Sequence, residues 1–146
     1  MFSELQRDAM MHTVVLIDDD PDDVDFLAEA IKDFDGSIEC VSFTNPVRAI
    51  THLLSADFTR EPTCIFLDYN MPELTGLECL TILRDSSRYK LTPMAVISTG
   101  LGSSESGQFG RSRCSKAGAN FAVEKPSTMS GYQKLLAEIF SALANR

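Results

Sequence analysis

The chain has 146 residues, 44% of them hydrophobic and 23% charged, with a formal net charge of −8. That length suits one domain with a proper core and is short for two. The acidic balance argues against unaided nucleic-acid binding and against an anionic membrane surface, since both would repel the chain. No apolar run approaches the ~18 residues a membrane helix needs.

Residues 1–11 mix Glu4, Arg7 and Asp8 with apolar side chains. They lack a basic start, an apolar stretch and a small-residue cleavage site, so they read as an N-terminal extension, not a secretion signal. The domain proper is expected over residues 12–146. His12–Ile17 is a β-branched, apolar run that ends in acid, which predicts a strand buried on both faces. Asp20 is a candidate N-cap before Pro21, and Val24, Leu27, Ala28, Ile31 and Phe34 follow at helical spacing up to Gly36. Ser37–Phe43 predicts a second strand. Asn45–Pro46 opens a second helix through Ile50, Leu53 and Leu54, and polar residues up to Pro62 form a loop. Thr63–Leu67 predicts a third strand, again ending in acid, at Asp68. Pro72 and Glu73 are expected to open a third helix carrying Leu77, Leu80 and Leu83. Pro93–Ile97 predicts a fourth strand, ending in Ser98 and Thr99, and Gly118–Val123 a fifth, ending near Lys125–Pro126. A last helix carries Leu135, Leu136, Ile139, Phe140 and Leu143.

Strands alternating with helices at this spacing imply a parallel sheet covered by helices on both faces. Ligands of such sheets bind outside the carboxyl ends of the strands. Those ends carry Asp18, Asp19 and Asp20, then Asp68, then Ser98 and Thr99, then Lys125. Carboxylates packed together disfavour one another's ionisation, and a divalent cation relieves that cost. Oxygen-only ligands suit Mg²⁺. A cation beside a carboxylate, a hydroxyl and an ammonium points to phosphoryl chemistry, with a carboxylate able to serve as nucleophile. Cys40, Cys64, Cys79 and Cys114 form no C-x-x-C pair, and only two histidines occur, so no zinc site is expected. Scattered single thiols fit packing roles in a reducing, cytoplasmic compartment.

The segments Leu16–Pro21 (Leu-Ile-Asp-Asp-Asp-Pro), Leu67–Gly76 (Leu-Asp-Tyr-Asn-Met-Pro-Glu-Leu-Thr-Gly), Pro93–Ser98 and Ala117–Pro126 resemble the receiver domains of two-component response regulators. The resemblance covers about residues 12–144. It implies a flavodoxin-like (CheY-like) fold: a doubly wound, five-stranded parallel sheet of (βα)5 type with strand order 2-1-3-4-5. It also implies roles. Asp68 would be the phosphoacceptor. Asp19 would bind Mg²⁺ directly, Asp18 through water, and Asp68 and the Asn70 backbone carbonyl would complete the protein ligands. Ser98 would be the switch hydroxyl and Lys125 the phosphoryl-pairing lysine, with a cis bond before Pro126.

The function expected is that of a stand-alone receiver, phosphorylated from a sensor histidine kinase or a histidine phosphotransfer protein and signalling to a downstream protein by contact. It would be no enzyme beyond assisting its own phosphorylation and dephosphorylation. A phosphorelay intermediate or phosphate sink is the alternative, and homodimerisation stays open. A small-substrate phosphatase is disfavoured by Asn70, which stands where many such enzymes place an acid. Asn70 and Gly100 are expected to leave the pocket open to water and the phosphoryl lifetime unexceptional.

Two departures from the family stand out. Ala122 occupies a position that is often aromatic, and strand alternation turns its neighbour Phe121 to the other face. Gly100–Gly118 is rich in glycine and serine, both poor helix formers, which predicts a frayed or displaced fourth helix that phosphorylation would order. Asp20, Asp22 and Asp23 read as acids suited to a helix N-terminus. Tyr132 and Phe109 receive no assignment.

Overall fold

A computed structural model describes residues 12–145, so the expected extension over residues 1–11 lies outside the described residues. Five strands and five α-helices alternate: β1 Thr13–Ile17, α1 Pro21–Phe34, β2 Glu39–Phe43, α2 Pro46–Leu53, β3 Cys64–Leu67, α3 Gly76–Asp85, β4 Met94–Ser98, α4 Glu105–Lys116, β5 Phe121–Glu124 and α5 Met129–Ala144. Short 3-10 turns follow α3 (Ser87–Tyr89) and β4 (Thr99–Leu101). The strands form one sheet in the order β2-β1-β3-β4-β5, with every neighbouring pair parallel. Fold and strand order are those implied by the sequence.

The core divides along the two faces of the sheet, as the two-residue period of a strand requires. Val15 and Ile17 of β1, with Ile65 and Leu67 of β3, pack against Ala49 and Leu53 of α2, Leu80 and Leu83 of α3 and Cys114 of α4. Val14, Leu16 and Phe66 turn the other way, onto Val24 and Ile31 of α1 and Leu136 and Ile139 of α5. β1, β3 and β4 are buried along their whole length, which accounts for their unbroken apolar sequence.

Several boundaries differ from expectation, each for a local reason. Ser37 does not begin β2, because the Asp35 carboxylate takes both its amide (3.0 Å) and its hydroxyl (2.6 Å) into a turn. Helix α3 begins at Gly76, not at Pro72. Glu73 adopts a left-handed φ of 68°, and the cap is Thr75, which forms a reciprocal capping box with Glu78. β5 begins at Phe121, because Gly118 takes a φ of +108° and Asn120 turns its side chain to the Met94 amide, 2.9 Å away.

The fourth helix, expected to be frayed or displaced, is a capped helix over Glu105–Lys116. The Ser104 hydroxyl caps it by accepting from the Gly107 amide at 3.1 Å. The Arg111 guanidinium ties it to the preceding turn through the Leu101 and Gly102 carbonyls, both at 2.8 Å, and Cys114 and Leu101 are fully buried. Capping and packing outweigh the poor intrinsic propensity of its residues.

The long Ser55–Pro62 loop is at the surface, as expected, and is also anchored. Phe58 is buried, and Arg88 donates to the carbonyls of Leu53, Ser55, Phe58 and Arg60. Among the described residues, no helix is long and apolar enough to cross a membrane.

Candidate functional site

The register of the sheet brings the polar strand ends together. Ile17 is paired with Leu67, and Leu67 with Val96, so the residues following β1 and β3 and the last residue of β4 share one edge. The ladder continues one step into the site. The Asp68 amide donates to the Ile17 carbonyl at 2.9 Å, and the Lys125 amide to the Ser98 carbonyl at 3.1 Å. Gly76, the first residue of α3, lies directly beneath. A Cβ there would stand 2.1 Å from the Asp68 carbonyl oxygen, so only glycine lets the helix start this close to the Asp68 backbone.

At this edge the Lys125 ammonium meets three carboxylates. It lies 2.9 Å from Asp18 Oδ2, 2.9 Å from Asp23 Oδ2 and 3.7 Å from Asp68 Oδ1. Asp18 is held on its other side by the Asp20 amide, at 3.0 Å from Oδ1. Ser98 is 1% exposed, and its hydroxyl neighbours the Asp68 carboxylate, whose charged form it favours, and accepts from the Gly100 amide at 3.4 Å. Thr99, next to it, is exposed. Asn70 stands in the loop after β3, where its side-chain Nδ2 lies 2.7 Å from the position of a Gly100 Cβ. The two residues therefore meet beside Ser98.

Asp18, Asp19 and Asp68 each offer one carboxylate oxygen, all within 4.8 Å of one another. Their electrostatics record the crowding. Burial first, and the Asp18 charge second, push the Asp68 carboxyl up to about 6, against the Lys125 charge and the hydrogen bonds from Ser98 and the Tyr69 amide. Burial likewise raises the Asp18 carboxyl, opposed by Lys125. For Lys125, burial works against the ammonium, but its hydrogen bonds to Asp18 and Asp23 and the Asp68 charge prevail and raise its pKa. Three carboxylates against one ammonium leave an oxygen-only, net negative set that a hard divalent cation such as Mg²⁺ fits.

The structure thus gathers Asp18, Asp19, Asp68, Ser98 and Lys125 at one edge, as the sequence predicted. Two side chains join them unforeseen. Asp23 is part of the Lys125 cluster and not merely a helix-end acid. With Pro21 at N1 it is the third helical residue, and a first-turn side chain points back toward the helix start. That direction was the signal available in the sequence. Tyr132 of α5, 3% exposed and tilted against Phe26 with ring centroids 5.2 Å apart, lines the cavity with Asp18, Asp23, Val24, Asp68 and Lys125. Burial pushes its hydroxyl up to about 12.

Phe121 packs toward α1 and α5 while Ala122 packs toward α3 and α4, so the aromatic is on the wrong face to replace the missing one. No peptide bond among the described residues is cis, which corrects the expectation for Pro126; trans is the lower-energy default even before proline.

Comparison with known proteins places the chain in a family and among structures of the same fold. The model of the response regulator receiver domain matches residues 14–137. The chain belongs to the response regulator receiver domain family. A curated relative, chemotaxis protein CheY1 of Helicobacter pylori, is 33% identical over 72 residues, which are 49% of this receiver and 54% of the relative. The match thus spans about half the length of that relative. Solved structures share the fold. Chemotaxis response regulator CheY4 of Vibrio cholerae superposes with a TM-score of 0.72 at 22% identity, covering 88% of this receiver and 98% of that chain. A receiver domain from Rhodospirillum rubrum gives 0.74 at 23% identity, covering 89% and 94%. The Mn²⁺-bound form of response regulator Rcp1 gives 0.73 at 20% identity, covering 89% and 92%.

Proposed function

We propose that this receiver accepts a phosphoryl group on Asp68 from the phosphohistidine of a sensor kinase or a histidine phosphotransfer protein, and signals by protein contact. The observation that carries the reading is the Asp68 carboxylate, almost buried at the sheet edge between the Ser98 hydroxyl and the Lys125 ammonium. An Asp68 oxygen attacks phosphorus, the P–N bond breaks, and the departing imidazole keeps the electron pair and takes a proton. Water later cleaves the acyl phosphate, releasing inorganic phosphate and restoring the carboxylate. Asp18, Asp19, Asp68 and the Asn70 carbonyl would hold Mg²⁺, which supplies charge neutralisation to the phosphoryl oxygens when bound. Ser98 donates a hydrogen bond to one phosphoryl oxygen, and Lys125 pairs with another. The chain turns over only its own phosphoryl group, so it is a switch and not an enzyme on external substrates. A reducing cytoplasm suits its free cysteines, three of them buried.

Incubation with acetyl phosphate and Mg²⁺, followed by intact-mass measurement, tests the proposal. One phosphoryl mass should appear in the wild type and disappear with a chelator or in Asp68→Asn. No gain in the wild type with an active donor would overturn it.

A further inference from the structure

The lysine at the phosphoryl site is engaged from an unexpected side. Lys125 Nζ is 2.9 Å from Asp23 and 3.7 Å from Asp68, a distance too long for a direct hydrogen bond. Asp18 also holds it at 2.9 Å, but Asp18 belongs to the cluster suited to a cation, whereas Asp23 does not. Asp23 is therefore a partner that cation binding leaves in place. Its presence is not explained by the start of the helix. Asp20 already caps α1, accepting from the Asp22 amide at 2.9 Å, and Asp22 supplies an acid in the first turn. The Asp23 carboxylate instead reaches across to Lys125, over a cavity walled by Val24, Leu27 and Tyr132. The clamp joins residues 102 positions apart in sequence, between the start of α1 and the end of β5.

We propose that Asp23 is a positioning residue that holds Lys125 on the α1 side of the pocket, in competition with Asp68, and so limits how readily the lysine turns to an incoming phosphoryl group. The proposal rests on the reading of Asp68 as phosphoacceptor. The Asp23 side chain is 39% exposed, so its hold on the lysine is that of a half-solvated ion pair: enough to bias the lysine without locking it. An ammonium has three donors, and a phosphoryl group brings more negative charge than one half-exposed carboxylate. Transfer of Lys125 from Asp23 to the phosphoryl oxygens is the step that Asp23 opposes.

The test compares the wild type, Asp23→Asn, Asp23→Glu, Lys125→Ala and Asp23→Asn/Lys125→Ala in acetyl phosphate phosphorylation, with Mg²⁺ and donor both titrated to saturation and folding checked by thermal melts. Expected is a plateau rate about 2- to 5-fold higher in Asp23→Asn, the range of a half-exposed ion pair. Asp23→Glu keeps the charge and should stay near the wild type. The gain should vanish when Lys125 is absent, because the effect passes through it. A merely structural role would alter the melts and not this Lys125-dependent plateau. Equal or slower plateau rates in Asp23→Asn, or a gain that persists without Lys125, would overturn this proposal while leaving the phosphoacceptor reading intact. Absence of any phosphoryl mass gain in the wild type would overturn both.

Discussion

Asp68 carries a conflict between its fold and its charge. Its carboxyl titrates near 6 in the folded chain, against an ordinary 3.8, because burial and Asp18 both resist ionisation. The folded state therefore binds the proton more tightly than the unfolded state. The corresponding stability is fully present below about pH 4 and is lost as the pH rises through 6. Asp68→Asn should accordingly stabilise the cation-free protein by about 3 kcal/mol at pH 8, and the gain should fade toward pH 4. Urea unfolding of both proteins across that range checks it; an equal gain at both ends would contradict the conflict. Lys125 is the opposite case. Lys125→Met strands Asp18, Asp23 and Asp68 together and should cost about 2–3 kcal/mol, less than for a fully buried cluster because Asp23 is half-solvated. Mg²⁺ should return part of that loss in a melting titration. Asp18, Asp19, Asp68, Ser98 and Lys125 were legible in the sequence because each follows or ends an apolar strand. Asp23 offered only the backward direction of a first-turn side chain, a signal that helix-end preference masks because it accounts for any acid there, and Tyr132 offered none, since helical spacing does not say which aromatic meets a charge.

Among the elements, α4 shows where composition misleads. Five glycines and five serines from residue 100 to residue 118 argue against a helix, yet the Ser104 cap and the Arg111 ties to the turn after β4 hold one from Glu105 to Lys116. The helix exists before any phosphorylation, so phosphorylation has little there to order. Hydrogen exchange of the unmodified protein should show protected amides across residues 109–116; exchange at unstructured rates would contradict this. The start of α3 bears more directly on the site. Thr75→Ala removes the capping box and should cost about 1 kcal/mol. Gly76→Ala should cost more, since its Cβ would collide with the Asp68 backbone, and it should also slow phosphorylation. A melt paired with the acetyl phosphate rate distinguishes the two: Thr75→Ala is expected to move mainly the melt, Gly76→Ala both. The shift of this helix start from Pro72 to Gly76 was hidden because proline is a common first helical residue. Only the left-handed Glu73 turn shows that another cap prevails.

For the molecule as a whole, strand alternation and strand ends made the fold and its functional edge readable, because a parallel sheet offers one place where its carboxyl ends meet. Less readable was how the opposite end is closed. There Arg84 donates to the carbonyls of Tyr89, Thr92 and Gly118, and Arg88 gathers the loop after α2, in contacts between residues up to 35 positions apart. The two ends divide the work: arginines brace the amino edge of the sheet, and acids crowd the carboxyl edge. On the present reading that crowding exists to bring a cation and a phosphoryl group to Asp68. Borohydride trapping of the phosphorylated protein, followed by peptide mass spectrometry, tests this most directly, because it reduces an aspartyl phosphate to homoserine where it stands. The result expected is homoserine at Asp68 and nowhere else, appearing only when Mg²⁺ and a phosphodonor are both present. Homoserine at another aspartate, or an unaltered Asp68 in a protein that has gained phosphoryl mass, would contradict it.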